Sequence, residues 1–199
     1  MKRSILILLL LFTVISHSQT MKNLTKKATF GAGCFWCIDP LFSQLKGVQK
    51  VVTGYSGGHT LNPTYETICT GTTGHAEVIE ITFDSQVISY QELLAVFWQI
   101  HDPTTLNQQG ADVGTQYRSV VFYHSEEQKK EAIFYKNKLN ENKVFLSPVV
   151  TEISEAVEFY QAENYHQDYY NTNPNAPYCQ AVITPKIEKF KQVFIEKIK

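Results

Sequence analysis

The 199-residue sequence has almost no excess of charge of either sign. It contains 18 Lys and Arg against 19 Asp and Glu, a formal net charge of −1. A surface without a broad cationic field does not hold polyanions, so we expect no nucleic acid among the partners. Cysteine is also scarce, because only four residues are present and their spacing is uneven. That number excludes a disulfide-stapled miniature fold, and the 43% hydrophobic content is enough for one ordinary core.

A hydrophobic run long enough to cross a membrane is lacking as well. The longest run is Ile5–Ile15, eleven residues, whereas a spanning helix needs about 20. Lys2 and Arg3 precede this run and serines follow it, which is the pattern of a cleaved signal peptide. We therefore predict a signal peptide over residues 1–18, no lasting membrane anchor, and a periplasmic or secreted protein. Translation from Met21 would instead leave the protein in the cytoplasm.

The rest of the chain contains no internal repeat, long linker or low-complexity tract. It also has no phosphate-binding glycine fingerprint. We therefore predict a single domain over residues 19–199, with a C-terminal tail over residues 163–199. The histidines of this part of the chain do not show the paired spacing that zinc ligands have. They are His59, His75, His101, His124 and His166. We expect no metal ion and no other cofactor.

The hydrophobic periodicity predicts the order β-α-β-β-α-β. The strands are expected at residues 26–32, 48–54, 76–83 and 117–123, and the helices after Gly33 and over residues 89–100, with a further helix over residues 125–141. Ser89 and Glu92 form a capping box at one helix start. This order fits a ferredoxin-like α+β sandwich. We further expect an edge strand at 149–153, an extended C-terminal segment over 163–183 and a last helix opening at Thr184-Pro185.

Cys34 follows a predicted strand and opens a predicted helix. The free backbone N–H groups and the dipole at a helix start stabilise negative charge, which favours a reactive thiolate over a buried structural thiol. Cys37 completes a C-x-x-C spacing with Cys34. Cys69 stands beside Ile68 with no basic neighbour, so we interpret it as a structural, core-filling residue.

Glu77 has the same parity as Ile79, Ile81 and Phe83 in a predicted strand. A carboxyl group on such an apolar face is desolvated, which raises its pKa and keeps it protonated near neutral pH. It could then act as a general acid. A slipped strand register would instead turn the same side chain to solvent.

Several motifs occur together in one order along the chain. They are Gly33–Trp36, Gly54–Gly58, Asn62–Glu66, Gly74–Glu77, Asp112–Ser119, Tyr165–Tyr169 and Asn173–Pro174. With these motifs the sequence resembles the peptide methionine sulfoxide reductases of the A type, from about Phe30 to Phe190. Each string alone is weak, but their combined order and spacing is specific.

The resemblance implies reduction of methionine S-sulfoxide, free or in proteins, to methionine. By motif position Cys34 would be the nucleophile and Glu77 the acid that protonates the sulfoxide oxygen. Tyr65 and Tyr117 would hold that oxygen through their hydroxyl groups. Attack would leave Cys34 as a sulfenic acid, which condenses with a second thiol.

The resemblance also implies a substrate-binding pocket. Phe35 and Trp36 would form apolar walls around the methyl group on sulfur, and Asp112 would orient the substrate through its backbone amide. Without the resemblance, aromatic residues at a helix start are usually core residues, and an Asp in such a loop is usually a turn former.

Two cysteines are candidates for the resolving thiol. Cys179 occupies the family's C-terminal resolving position in a tail that we expect to be mobile. Cys37 is the alternative, although many family members have Gly there. Asp39-Pro40 also departs from the usual Glu-Ala, and we expect Asp39 to face solvent. A thioredoxin-like dithiol protein would recycle the enzyme.

Two other functions remain open at this point. A general thiol–disulfide oxidoreductase could use Cys34-x-x-Cys37, and a binding module could grip oxidised methionine through Phe35 and Trp36 without turnover. For quaternary structure, the working expectation is a monomer.

Overall fold

The computed structural model describes residues 24–199, so the predicted signal peptide 1–18 lies outside the described residues. The strands are β1 Thr25–Ala32, β2 Val48–Ser56, β3 Ala76–Asp84, β4 Gln108–Gln109, β5 Asp112–Val113, β6 Ser119–Tyr123, β7 Glu152–Glu155 and β8 Phe159–Gln161. The helices are α1 Phe35–Ser43, α2 Tyr65–Cys69, α3 Tyr90–Ile100, α4 Glu126–Glu141, α5 Tyr169–Thr172 and α6 Thr184–Val193. Within this range no helix is long and apolar enough to cross a membrane.

Six strands form one sheet in the order β7-β6-β1-β3-β2-β8. Neighbouring strands are antiparallel, except that β6 and β7 run parallel. Helix α1 contacts β1, β2 and β3, helix α3 contacts β1, and helix α4 contacts β6 and β7. The fold is therefore a mixed α+β fold, as the sequence predicts at the level of fold class.

Apolar side chains from β1, α1 and α3 meet in the core beside this sheet. Phe30 of β1 is fully buried, and its ring centroid lies 5.7 Å from that of Phe42 in α1 and 5.0 Å from that of Phe97 in α3. Burial of each such ring contributes about 1.5–3 kcal/mol. These contacts fix α1, and with it the residue that precedes α1, against the end of β1.

Local capping signals are confirmed where the sequence predicts them. The Ser89 side chain accepts from the Glu92 N–H, and the Glu92 carboxylate accepts from the Ser89 N–H, so the capping box opens α3. Ser125 likewise accepts from the Gln128 N–H at the start of α4. The last helix begins at Thr184 with Pro185 in its first turn.

Other boundaries differ from the prediction. The predicted strand at 117–123 begins at Ser119, because Thr115–Tyr117 form a 3₁₀ turn. The predicted edge strand at 149–153 lies instead at β7. Strand β8 and helix α2 were not predicted, since three and five residues are too few to carry a periodic pattern.

The prediction of an extended segment over 163–183 is wrong. This stretch contains a 3₁₀ turn at Asn164–His166, helix α5 and a π-helical turn at Cys179–Ile183. Gln167 fastens the segment to β2, because its Nε2 donates to the Thr53 carbonyl at 3.0 Å and its Oε1 accepts from the Thr53 N–H at 3.1 Å. Both α5 and the π-helical turn contact α1.

Candidate active site

Cys34 lies between the end of β1 and the first turn of α1. It is the residue before Phe35 and is partly exposed. Gly33 precedes it with φ +86°, and a Cβ atom there would lie 2.6 Å from Cγ of Gln109. Only glycine fits this position without strain and a clash. The backbone at Gly33 therefore sets where the Cys34 thiol enters the site.

Glu77 is 2% exposed on β3, the strand beside β1, so its side chain does not face solvent. Its Oε2 accepts a hydrogen bond from the Phe35 N–H at 3.1 Å. Burial raises the pKa of Glu77 to about 8, with a smaller increase from Asp112, against the lowering effect of the Phe35 N–H. At neutral pH this carboxyl group is therefore mostly protonated and can donate a proton next to Cys34.

Cys34 and Cys37 form a thiol pair within the first turn of α1. The Cys37 N–H donates to the Cys34 carbonyl at 3.0 Å. The hydrogen bond between the two thiols raises the pKa of Cys34 well above its usual value, and burial raises it further. The same bond lowers the pKa of Cys37 to about 7, with help from Lys186 and Tyr178.

In this arrangement two influences oppose the thiolate that the sequence predicts at Cys34. One backbone N–H, that of Trp36, lowers the pKa of Cys34, but the thiol pair and burial outweigh it.

The structure places Tyr65 and Tyr117 near Glu77. Tyr65 is the first residue of α2, and Tyr117 ends the 3₁₀ turn before β6. Burial raises the pKa of both phenols, and the charge of Glu77 adds to the increase in each case. Both hydroxyl groups therefore remain protonated and able to donate a hydrogen bond at neutral pH.

Asp112 lies on β5, half-buried, and shares a hydrogen bond with the hydroxyl of Tyr178. Burial raises the pKa of Asp112, while Tyr178 and then Lys186 lower it. The Tyr178 hydroxyl also lies 3.4 Å from Sγ of Cys37. Tyr178 was not singled out from the sequence, where its only signal is its place directly before Cys179.

Phe35 and Trp36 contact the C-terminal segment. Phe35 is 1% exposed, and its ring centroid lies 5.0 Å from that of His166. The indole Nε1–H of Trp36 donates to Nδ1 of His166 at 3.0 Å. The Trp36 ring also stacks on Tyr169, with centroids 3.7 Å apart and planes 7° apart. His166 and Tyr169 were found in the sequence as part of a motif, but without a role.

The C-terminal segment is joined to the Tyr65 side of the site by Glu163. Its Oε1 accepts from the Tyr65 N–H at 2.8 Å, and its Oε2 accepts from the Tyr55 hydroxyl at 2.9 Å. The rings of Tyr65 and His166 lie 4.4 Å apart. The segment after residue 162 therefore shapes one side of the site.

Cys179 and Cys69 lie where the sequence did not predict. Cys179 is fully buried and not on an exposed tail, because the π-helical turn packs it against the core. Burial raises the pKa of Cys179, and the neighbouring Cys37 adds to the increase. Cys69 is exposed, so a core-filling role for it is wrong. All four cysteines are free thiols.

The expectation that Asp39 faces solvent is also wrong. Asp39 lies within α1 and is only 6% exposed. Burial raises the pKa of Asp39 to about 7, with a further increase from Asp168 and a decrease from the Asp168 N–H. Within residues 24–199 no group of three or more His, Cys, Asp or Glu side chains could hold a metal ion.

A paired thiol at a helix start, beside a protonated carboxyl group and two phenols, defines a thiol-dependent oxidoreductase. The family model for peptide methionine sulfoxide reductase matches residues 26–198. A relative from Saccharolobus solfataricus, peptide methionine sulfoxide reductase MsrA, is 54% identical over 173 residues, or 86% of this chain and 96% of its own length. The chain therefore belongs to the peptide methionine sulfoxide reductase family.

Solved structures agree with this assignment. Mxr1 from Saccharomyces cerevisiae in reduced form has a TM-score of 0.73 and 34% identity, covering 78% of this chain and 89% of that chain. Mxr1 in complex with Trx2 has a TM-score of 0.53 at 24% identity, covering 76% of this chain and 91% of that chain. The second similarity bears on the fold alone.

Proposed function

We propose that the protein reduces methionine S-sulfoxide, free or in proteins, to methionine, with Cys34 as the nucleophile. Family membership supports the reaction, and the buried, protonated Glu77 beside the start of α1 is the observation that carries the mechanism. Phe35 and Trp36 take the methyl group on sulfur, and Asp112 orients the substrate backbone. The apolar walls suit a methyl group because it offers no hydrogen bond.

In the first step the Cys34 sulfur attacks the sulfoxide sulfur. Glu77 donates its proton to the sulfoxide oxygen, and Tyr65 and Tyr117 hold that oxygen through their hydroxyl groups. The protonated oxygen then forms a bond to the Cys34 sulfur, while its bond to the methionine sulfur and the new sulfur–sulfur bond both break. Methionine leaves, Cys34 becomes a sulfenic acid, and the proton of the Cys34 thiol replaces the one that Glu77 donated. The thiol is oxidised and the sulfoxide is reduced by the same two electrons.

Cys37 then resolves the sulfenic acid. In the reduced protein its thiol pairs with that of Cys34, and this pairing, Lys186 and Tyr178 all lower the pKa of Cys37. Attack on the Cys34 sulfur forms the Cys34–Cys37 disulfide and releases water. Cys179, whose pKa responds to Cys37, takes over the bond in a second exchange, giving Cys37–Cys179 and a free Cys34.

A single turnover tests the reaction and the order of the thiols. Pre-reduced protein without reductant is mixed with the S or the R epimer of a blocked methionine sulfoxide. One methionine per protein from the S epimer alone, with a protein mass lower by two hydrogens, is the expected result. No methionine from either epimer, with Cys34 verified as a free thiol, contradicts the proposed reaction.

Two serine variants separate the resolving thiols. Cys179→Ser should stop at a Cys34–Cys37 disulfide, whereas Cys37→Ser should accumulate the sulfenic acid on Cys34 after one methionine is released. Trapping with dimedone followed by peptide mapping distinguishes the two species. Rapid formation of a Cys34–Cys179 disulfide in Cys37→Ser would assign the first resolving step to Cys179.

A thioredoxin-like dithiol protein is the proposed reductant. Reduction of a protein disulfide by thiol exchange needs such a donor. Mxr1, which is 34% identical to this chain in its reduced form, has itself been solved in complex with Trx2. Reduction of the oxidised protein should follow saturation kinetics with a thioredoxin, and an active-site serine variant of that thioredoxin should become trapped as a mixed disulfide.

Two further proposals concern architecture and location. A ferredoxin-like core is supported by the strand order β6-β1-β3-β2 and its antiparallel pairing. Export is supported by the signal-like pattern of residues 1–18, and we propose a monomer as the working state of the exported protein. N-terminal sequencing that finds only chains beginning at Met21 would contradict export, and a dimer mass in solution would contradict the monomer.

A further inference from the structure

A cavity of about 450 Å³ lies at the end of the molecule opposite the active site. It opens between the start of β1, the start of α3 and the start of α4. Cys34 follows the other end of β1, an eight-residue strand that spans about 26 Å. The cavity is therefore separate from the thiols, and its volume is within the range of small-molecule sites.

Two buried polar atoms at this cavity have no hydrogen-bond partner within residues 24–199. They are the hydroxyl oxygen of Tyr90, whose residue is 8% exposed, and Oε2 of Glu131. Both residues line the cavity and interact electrostatically with each other. A buried carboxylate oxygen without a donor is unfavourable, so the site suits a ligand that brings a cationic N–H group.

The rim of the cavity offers a positive charge as well, although the carboxylate of Glu127 also lines it. Lys26 lines it and acts on Glu131, yet no ion pair of Lys26 is present in the described part of the chain. Lys27, also at the rim, is already paired with Glu80 at 2.7 Å. The starts of α3 and α4 line the same rim, and Ser89 and Ser125 cap their first turns. Phe83 adds an apolar surface.

We propose that this cavity binds a free α-amino acid as a zwitterion. The ammonium group contacts Glu131 and the Tyr90 hydroxyl, the carboxylate lies at the rim beside Lys26, and an apolar side chain packs against Phe83. A ligand with only an amine would leave the positive charge of Lys26 without a counter-charge. A ligand with only a carboxylate would leave the Tyr90 hydroxyl and Oε2 of Glu131 without a hydrogen-bond partner.

The test uses L-leucine, which has no sulfur to react with Cys34, titrated into the ¹⁵N-labelled full chain. Saturable amide shifts are expected at Tyr90, Gln128 and Glu131. Isoamylamine and 4-methylpentanoate are the matched probes, because each keeps the side chain, the Cα carbon and one of the two charges. Each should bind at least about tenfold more weakly than leucine, since each loses one charged contact.

Substitutions in the cavity test whether leucine binds there. Tyr90→Phe and Glu131→Gln should each weaken leucine binding by about fivefold or more while keeping the melting temperature, because neither removes an existing hydrogen bond. Glu77→Gln at the active site should leave leucine binding unchanged. Shifts that cluster around Cys34, equal binding of either fragment, or unchanged affinity in both cavity variants would each overturn the proposal.

Discussion

The two buried carboxyl groups near α1, Glu77 and Asp39, have different neighbours. Glu77 shares a hydrogen bond with the start of α1 and lies beside the thiol, whereas Asp39 lies further along α1 and faces Asp168. Burial is the main reason that both pKa values are raised, to about 8 and about 7. The raised pKa of Glu77 keeps it protonated for the proposed proton donation, and the raised pKa of Asp39 makes the stability of the protein depend on pH.

Replacement of Glu77 by Gln should lower the single-turnover rate by about 10²–10⁴-fold, because the proton donor to the leaving oxygen is lost. In the wild type, the infrared band of a protonated carboxyl group should disappear as the pH rises through about 8, since the raised pKa keeps the proton below that value. The variant should lack this change. A wild-type band already absent at pH 6 would contradict the assignment.

Asp39→Asn should stabilise the protein at pH 8 but not at pH 4. A carboxyl group whose folded-state pKa exceeds its unfolded value favours folding only while protonated, so that stability is lost as the pH rises from about 4 to about 7. The difference reaches at most about 4 kcal/mol. Urea unfolding of both proteins across this range measures it, and parallel curves would show that Asp39 does not titrate in this window.

At the scale of elements, the junction between β1 and α1 positions the reacting thiol. Gly33 turns the chain with a positive φ, and Gln109 from β4 fills the space where a side chain would be. Gly110, one residue after β4, also has a positive φ of +61°, but nothing lies within 4 Å of its Cβ position. Substitution of Gly33 would therefore add both backbone strain and a steric clash, whereas substitution of Gly110 would add backbone strain alone.

Gly33→Ala should therefore lower the free energy of unfolding more than Gly110→Ala, which carries the backbone cost alone, about 1–2 kcal/mol. Gly33→Ala should also lower the rate of methionine formation, because the clash displaces the start of α1. Thermal unfolding and single-turnover assays of the pair measure both effects. Equal losses in the two variants would mean that Gln109 adjusts without cost.

At the scale of the whole molecule, the reduced protein keeps Cys179 away from solvent. A reductant can attack a disulfide only at an accessible sulfur, so a Cys37–Cys179 bond requires the π-helical turn at Cys179–Ile183 to open. In the proposed relay, recycling is thus coupled to a local conformational change in the C-terminal segment.

Hydrogen exchange of the reduced and oxidised proteins should show this change. Amides of residues 173–183 should exchange at least about tenfold faster in the oxidised form, because the buried packing around Cys179 is released. Amides of α3 serve as the internal control and should be unaffected. Identical exchange over 173–183 would mean that the disulfide forms without opening of the segment.

Much of the fold could be predicted from the sequence, because its signals are local. The capping box of Ser89 and Glu92 and the proline at the start of α6 depend on neighbouring residues alone. The short helical turns after residue 163 could not be predicted, since they depend on distant contacts such as the stacking of Tyr169 on Trp36. The burial of Asp39 and the exposure of Cys69 likewise depend on packing between elements.

The hydrogen bond from the Phe35 N–H to Glu77 has one more consequence. While Glu77 is protonated, this bond joins a neutral acceptor to a neutral donor. In the proposed mechanism the proton passes to the sulfoxide oxygen, and the new carboxylate then already faces an N–H at the positive end of a helix. The dipole needs no reorientation as the charge appears, so solvent and side chains need little reorganisation during the step. The first turn of α1 thus stabilises the charge that catalysis creates.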